Sequence, residues 1–247
     1  MTIIHLSDLH LTFDKSPIWG VNTNAQFIKA LEKIRYMSNI DCIVVTGDIA
    51  DDGLKDTYLY ADQEFKKIGI ETFWCYGNHD CIDTMNSLGL QFVKLCDDII
   101  HKGVHFVFLN SVAKDKENPN QNRSRGIISD LEFKRLNDVL GSETRFPVIV
   151  AMHHPCIEPG GWLSEKILKN REQFNSMVTK YGVACVIYGH IHSHTEYRID
   201  KTVFTSASSI GFAFDKELPK YKIAEGKEGF SLIKMNHNSI NIENILI

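Results

Sequence analysis

Five short polar motifs each stand directly behind a strand-length apolar run: Asp8-Leu9-His10, Gly47-Asp48, Gly77-Asn78-His79-Asp80, His153-His154 and Gly189-His190-Ile191-His192. This layout constrains the fold more than any other feature of the chain. Ligands of open α/β sheets bind beyond the carboxyl ends of the strands, where loops from several strands converge. The sequence therefore asks for a sheet arrangement that brings five strand ends, and their histidines and carboxylates, to one place.

The intervening segments supply such an arrangement. Strand-like runs at Ile3 to Leu6, Cys42 to Thr46 and Glu71 to Cys75 alternate with helical patterns near Asn24 to Ser38 and Thr57 to Ile68, which predicts a mainly parallel sheet. Ile99 to His101 and His105 to Asn110 read as a hairpin. A helix over Asp130 to Leu140 follows, then a strand over Val148 to Met152, a helix near Arg171 to Tyr181 and a strand over Ala184 to Tyr188. The last third, with Thr195 to Ile199, Thr202 to Ser206, Phe230 to Met235 and Ile240 to Leu246, changes to period-2 strands without helices, from which a second, antiparallel sheet is expected. The fold class is α/β, a four-layer αββα sandwich of two sheets flanked by helices, and the 247 residues are read as one domain, 1–247, with a full core.

Bulk properties exclude several function classes. The net charge of −4 gives no global field to attract a nucleic-acid backbone or an anionic membrane, so an anionic substrate has to be held locally. Apolar stretches such as Phe146 to Met152 are far shorter than the roughly 20 residues that span a bilayer. Ile3 to Leu6 already reads as the strand delivering Asp8, leaving no room for a cleavable leader. The six cysteines lack C-x2-C spacing and read as reduced thiols of a cytoplasmic protein.

Asp8 and His10 are two apart at a strand end, so their side chains point the same way and can grip one ion; His190 and His192 repeat the spacing. Asp48, Asn78 and His153 end three other strands. Seven donors are too many for one ion, and their mixed nitrogen and oxygen character suits iron, manganese or zinc. His79, next to a donor but not needed as one, is the natural proton donor to phosphate or to a departing oxygen.

The joint set resembles the calcineurin-like metallophosphoesterase superfamily, whose D-x-H, GD, GNHD, H and GHxH motifs are all present, over nearly the whole chain. That resemblance implies two metal ions, with Asp8, His10 and His192 on one, Asn78, His153 and His190 on the other, and Asp48 bridging. It also prefers His153 to His154, because proline follows two positions later, here Pro155. Two divalent ions, two carboxylates and one hydroxide leave a charge of about +1 to receive a phosphate, which the ions clamp for in-line attack.

Substrate is a matter of loops. Trp162-Leu163, Leu168-Lys169-Asn170 and Gly20-Val21-Asn22-Thr23 are similar to segments of bacterial class III cyclic nucleotide phosphodiesterases, with Cys156 replacing a second proline. The resemblance implies hydrolysis of a small-molecule phosphodiester such as cyclic AMP to the nucleoside 5′-monophosphate. His79 then protonates the leaving oxygen, and Asn78, His79 and Asn170 meet the substrate. A glycerophosphodiesterase, another small-molecule phosphoesterase or pyrophosphatase, and a non-catalytic scaffold are the alternatives. No nucleic-acid or membrane partner is expected, and a homodimer is left open.

Other polar residues receive plainer readings. His5, His101, His105 and His237 are structural or surface residues, and Asp51 and Asp52 belong to a solvated turn. Arg123 and Arg125 sit on a surface loop, while Lys216 to Lys227 is a loop or lid. His194 is a candidate to orient a metal ligand, Asp80 to bond the His79 imidazole or cap the next helix, Trp162 to line a base pocket or anchor its loop, and Asn170 to cap a helix.

Overall fold

A computed structural model describes residues 1–113, 124–142, 145–236 and 239–247; Arg123 and His237 lie outside them. Two sheets form. The first, in the order β11-β10-β1-β2-β3, contains β1 (Thr2–Leu6), β2 (Cys42–Val45), β3 (Thr72–Trp74), β10 (Gly229–Met235) and β11 (Ile240–Leu246). The second, in the order β4-β5-β6-β7-β9-β8, contains β4 (Asp98–His101), β5 (Val104–Phe108), β6 (Val148–Ala151), β7 (Cys185–Tyr188), β8 (Thr195–Ile199) and β9 (Thr202–Ser206).

Strand alternation sorts the apolar residues into three layers, because successive side chains leave a strand on opposite faces. Ile3, Cys42, Val44, Phe106, Ile149, Ala151, Cys185 and Ile187 fill the space between the sheets. Their neighbours Ile4, Leu6, Ile43 and Val45 face outward onto helices α1 (Thr23–Arg35) and α2 (Lys55–Ile68). On the other side, Val107, Val150, Val186 and Tyr188 face α4 (Asp130–Gly141) and α5 (Arg171–Lys180). A strand wetted on neither face is apolar throughout, which is why β2, β6 and β7 read as continuous apolar runs. A short α3 (Ile82–Ser87) and a 3₁₀ turn, Gly161–Lys166, complete the elements and carry too little periodicity to be seen in sequence.

Local chemistry fixes the helix ends. Phe27, Ala30, Leu31 and Ile34 place one buried stripe along α1, and the Asn22 side chain accepts from Ala25 N at its start. Gly69, with φ +74°, closes α2 by turning into the left-handed region, where its N–H bonds Phe65 O.

The period-2 strands of the last third do not build a sheet of their own. β9 runs parallel to β7, with β8 returning outside it, while β10 pairs antiparallel with β1 and β11 lies outside β10. Both sheets are therefore mixed. Alternation is retained by β8 and β11, the edge strands with one wet face, whereas β9 is buried throughout. Period 2 reports exposure of one face and says nothing about which sheet a strand joins.

Asp62 on α2 accepts from the backbone amides of Gln91 (3.1 Å), Phe92 (3.1 Å) and Val93 (2.7 Å), and is buried. This lays Lys94 along the open edge of β3, where it exchanges backbone bonds with Thr72 and Trp74. Asp62→Ala is expected to lower stability by roughly 2 to 4 kcal/mol in urea unfolding, since it orphans three amides at once. A loss under about 0.5 kcal/mol would show that water replaces the carboxylate there.

Candidate metal centre

The donors lie at the carboxyl ends of β1, β2, β3, β6 and β7, and all seven come together. In one set, His10 Nε2 is 3.2 Å from His192 Nε2, and His192 Nε2 is 3.3 Å from Asp8 Oδ1. In the other, His153 Nε2 is 2.9 Å from Asn78 Oδ1 and 3.0 Å from His190 Nδ1. Asp48 Oδ2 stands between them, 3.6 Å from His10 Nε2 and 3.3 Å from His153 Nε2. Its other oxygen accepts the His79 amide at 2.8 Å.

The backbone bends sharply to achieve this. Asp8, His10, Asp48, His190 and His192 all have φ between +47° and +71°, a region costly for residues with a side chain. Such strain persists only where the surroundings over-determine it, and here it falls on five of the seven donors. Gly77 is required beside them, because a Cβ there would run into Asp48 N and Oδ1.

Whether cations fit is decided by the outer ring nitrogens. His153 Nδ1 donates to Thr46 O (2.8 Å), His190 Nε2 to Ser124 O (2.7 Å) and His192 Nδ1 to Phe212 O (2.7 Å); His10 Nδ1 meets Asp51 Oδ1 (2.9 Å). A carbonyl can only accept, so in a neutral ring the hydrogen sits outward and the lone pair inward. Second-shell acceptors orient metal-binding imidazoles in this way. Burial, with neighbouring imidazoles adding to it, pushes His190 and His192 well below the usual histidine range, so both are neutral. The neutral His192 thus turns an inner lone pair toward His10 Nε2 at 3.2 Å, a place for a positive charge. Burial opposes the charge of Asp48, yet His153 and His10 hold its carboxyl well below the ordinary range. Burial likewise opposes the charge of His153, yet Asp48 raises its pKa to about 9, the proton standing where a metal ion would. Burial, with Asp48 adding to it, raises Asp8. Buried lone pairs and carboxylates in two sets about a shared oxygen form a donor set that fits two divalent cations.

His79 is 44 % exposed, and its Nδ1 lies 2.9 Å from Asp51 Oδ1. Asp51, read from sequence as a solvated residue, therefore joins the site, spanning His10 and His79 with one oxygen. The spacing Asp48-x-x-Asp51 was its only signal. Asp52 does serve its turn, accepting from Phe13 N, Leu54 N and Thr57 Oγ1. Asp80 neither bonds the His79 imidazole nor caps α3 with its side chain: it takes the amides of Ile49, Ala50 and Gly77 and the Tyr58 hydroxyl. It thereby ties the β2 loop to the β3 loop.

Asn170 also has a different use from the expected substrate contact. Its Oδ1 accepts from Ile128 N (3.2 Å), its Nδ2 donates to Ile128 O (2.7 Å), and its side chain makes no cap bond to α5. It reaches the centre only through the segment that presents the Ser124 carbonyl to His190. His194 bonds Ser206 O (2.9 Å) and orients no donor. Trp162 anchors its loop, donating Nε1 to Asp215 O (3.3 Å). His5, His101 and His105 bond Thr46 Oγ1, Asp41 O and Asp98 respectively, away from the donors. His154, buried behind His153, meets Ser111 Oγ with Nδ1 at 2.9 Å and packs against the His190 ring at 4.4 Å.

The family model for calcineurin-like phosphoesterases matches residues 1–194, which include every donor. The chain belongs to the calcineurin-like phosphoesterase family. Among curated relatives, the phosphoesterase is 25% identical over 240 residues to a 3′,5′-cyclic-nucleotide phosphodiesterase of Nostoc, covering 95% of this chain and 88% of that one. It is 27% identical over 219 residues to the 3′,5′-cyclic adenosine monophosphate phosphodiesterase CpdA of Haemophilus influenzae, covering 86% and 78%. A dimetal phosphatase from Danio rerio superposes with TM-score 0.69 at 12% identity over 98% of this chain and 95% of that one. The protein TT1561 of Thermus thermophilus does so with TM-score 0.62 at 12% identity over 98% of each. These structural likenesses speak to the fold, two mixed sheets flanked by helices. Family membership makes the chain a metal-dependent hydrolase of phosphate esters.

Two substitutions separate the roles around Asp48. Asp48→Asn is expected to lower bound metal from two ions per chain to one or none, measured by elemental analysis after reconstitution; two tightly held ions in the variant would rule out a shared carboxylate. Asp51→Ala is expected to weaken metal binding or turnover by about 10- to 100-fold by releasing His10 and His79. Unchanged affinity and rate would reduce Asp51 to a surface residue.

Proposed function

We propose that the phosphoesterase hydrolyses a small-molecule phosphodiester, a 3′,5′-cyclic nucleotide such as cyclic AMP, to the nucleoside 5′-monophosphate. The observation that carries this reading is the pair of donor sets about Asp48 with His79 on their rim, in a chain whose relatives named above are cyclic-nucleotide phosphodiesterases over 86 to 95% of its length. Bound there, two divalent cations would supply a water of lowered pKa and a counter-charge for the phosphoryl group. Iron, manganese and zinc are the ions we assign to imidazole, carboxylate and amide donors.

The chain's own groups do the rest. Asp8, His10 and His192 would hold one ion and Asn78, His153 and His190 the other, with Asp48 shared between them. Asn78 contributes an uncharged oxygen, which leaves the centre positive toward an anion. Asp51 accepts the Nδ1 hydrogen of His79; burial opposes the ring's charge, but Asp51 and Asp48 raise its pKa, so the protonated ring keeps a second hydrogen on Nε2 for the substrate. When the water oxygen bonds to phosphorus, the P–O3′ bond breaks, and its electron pair stays on O3′. That oxygen takes a proton from His79, which the attacking water makes good. We place the enzyme in the cytoplasm, where a chain with six free cysteines, four of them buried, keeps them reduced. Among the described residues no helix is long and apolar enough to cross a membrane.

The test is initial rates on cyclic AMP and bis-p-nitrophenyl phosphate with metal-stripped protein reconstituted with manganese, iron or zinc. Turnover of both is expected; turnover of the synthetic diester alone would move the substrate elsewhere. His79→Ala is expected to keep both ions and lose about 10² to 10⁴ in rate on the alkoxide-leaving diester, with a much smaller loss on p-nitrophenyl esters. Equal losses on both would remove the proton-donor role.

A further inference from the structure

A cleft of about 510 Å³ opens beside the metal centre, lined by Ser124, Arg125, Trp162, Lys166, Tyr221 and their neighbours. Its link to the centre is Ser124, whose carbonyl holds His190. Three cations line it. Lys220 is paired with Glu165, whereas Lys166 has no carboxylate within ion-pair reach among the described residues. Aromatic rings hold its ammonium instead, with Nζ 5.4 Å from the centroid of Tyr221, 5.6 Å from Phe214 and 5.9 Å from Trp162. Each separation is within reach of a cation–π interaction.

The cage brings that charge up to the donors. Phe214 lies against His192, ring centroids 5.0 Å apart and 29° from parallel, so the ammonium is one ring away from the centre. Burial lowers the Lys166 pKa, and Asp8 and Asp48 oppose that shift. Once cations engage the two carboxylates, no anion among the described residues remains to balance this ammonium. A phosphoryl group bound at the centre is the counter-charge the geometry calls for. A lysine serving only to pack its stem would gain by extending its head into water, as lysines ordinarily do.

We propose that Lys166 is a substrate-binding residue: its ammonium meets the phosphoryl oxygens of the bound ester, and the faces of Trp162, Phe214 and Tyr221 hold it there. His79 approaches from a different part of the rim, on His10 and Asp51. The assignment rests on the phosphoesterase reading of the centre but not on the ester being a cyclic nucleotide.

The experiment compares metal-loaded wild type with Lys166→Met, Lys166→Gln and Lys166→Arg. It reads metal content, the dissociation constant of inorganic phosphate by calorimetry, and kcat/KM on bis-p-nitrophenyl phosphate and cyclic AMP. The neutral variants are expected to keep two ions, bind phosphate about 10-fold more weakly and lose about 10- to 100-fold in kcat/KM, with Lys166→Arg recovering most of both. Unchanged phosphate binding and kcat/KM in a neutral variant that holds two ions would overturn the proposal. So would loss of the ions in both neutral variants, which would make Lys166 a structural member of the loop. If wild type turns over the synthetic diester but not cyclic AMP, the cyclic-nucleotide reading fails, and Lys166 is still decided by the synthetic diester and by phosphate.

Discussion

Four imidazoles turned so that one ring nitrogen of each faces a common centre are the constraint on which the rest of this structure depends. Each outer ring nitrogen is spent on an acceptor, and three of the four acceptors are backbone carbonyls. The neutral rings of His190 and His192 then have nothing to donate inward, at separations of about 3 Å from the inner nitrogens of His153 and His10. Burying acceptors against acceptors is unfavourable without a positive charge between them. The cation requirement thus follows from the orientation of side chains, which the backbone sets.

Setting that orientation is the work of the sandwich. The carbonyls come from three distinct regions: Thr46 at the end of β2, Ser124 ahead of α4, and Phe212 between β9 and β10. A rigid three-layer core holds these regions in register, and Asp80 and Asn170 tie the loops together through backbone bonds. Left-handed φ values at five donors are the local cost. They occur where the chain must turn within two to four residues of leaving a buried strand and still aim a side chain back across the strand ends.

Much of this was legible in the sequence because it is written in side chains. The motif donors are of a few residue types at fixed spacings, and buried parallel strands leave continuous apolar runs, so the two sheets with outer helices and the cluster of seven residues could be read directly. Backbone acceptors leave no such mark, which is why Thr46, Ser124 and Phe212 escaped notice. Asp51 looked like any acidic turn residue, because its role appears only when the β2 and β3 loops are brought together. Asn170 showed the converse: a polar residue at a helix start, assigned to substrate, is consumed by the backbone of Ile128. The sheet membership of β8 to β11 was hidden for a related reason, since alternation registers a wet face and not a pairing partner.

The most direct test of a centre built for two cations is anomalous diffraction from crystals of the manganese-reconstituted protein. Two peaks roughly 3.5 to 4 Å apart are expected, one among Asp8, His10 and His192 and the other among Asn78, His153 and His190, with Asp48 Oδ2 between them. A single peak at saturating manganese, or two peaks that Asp48 does not share, would contradict the account.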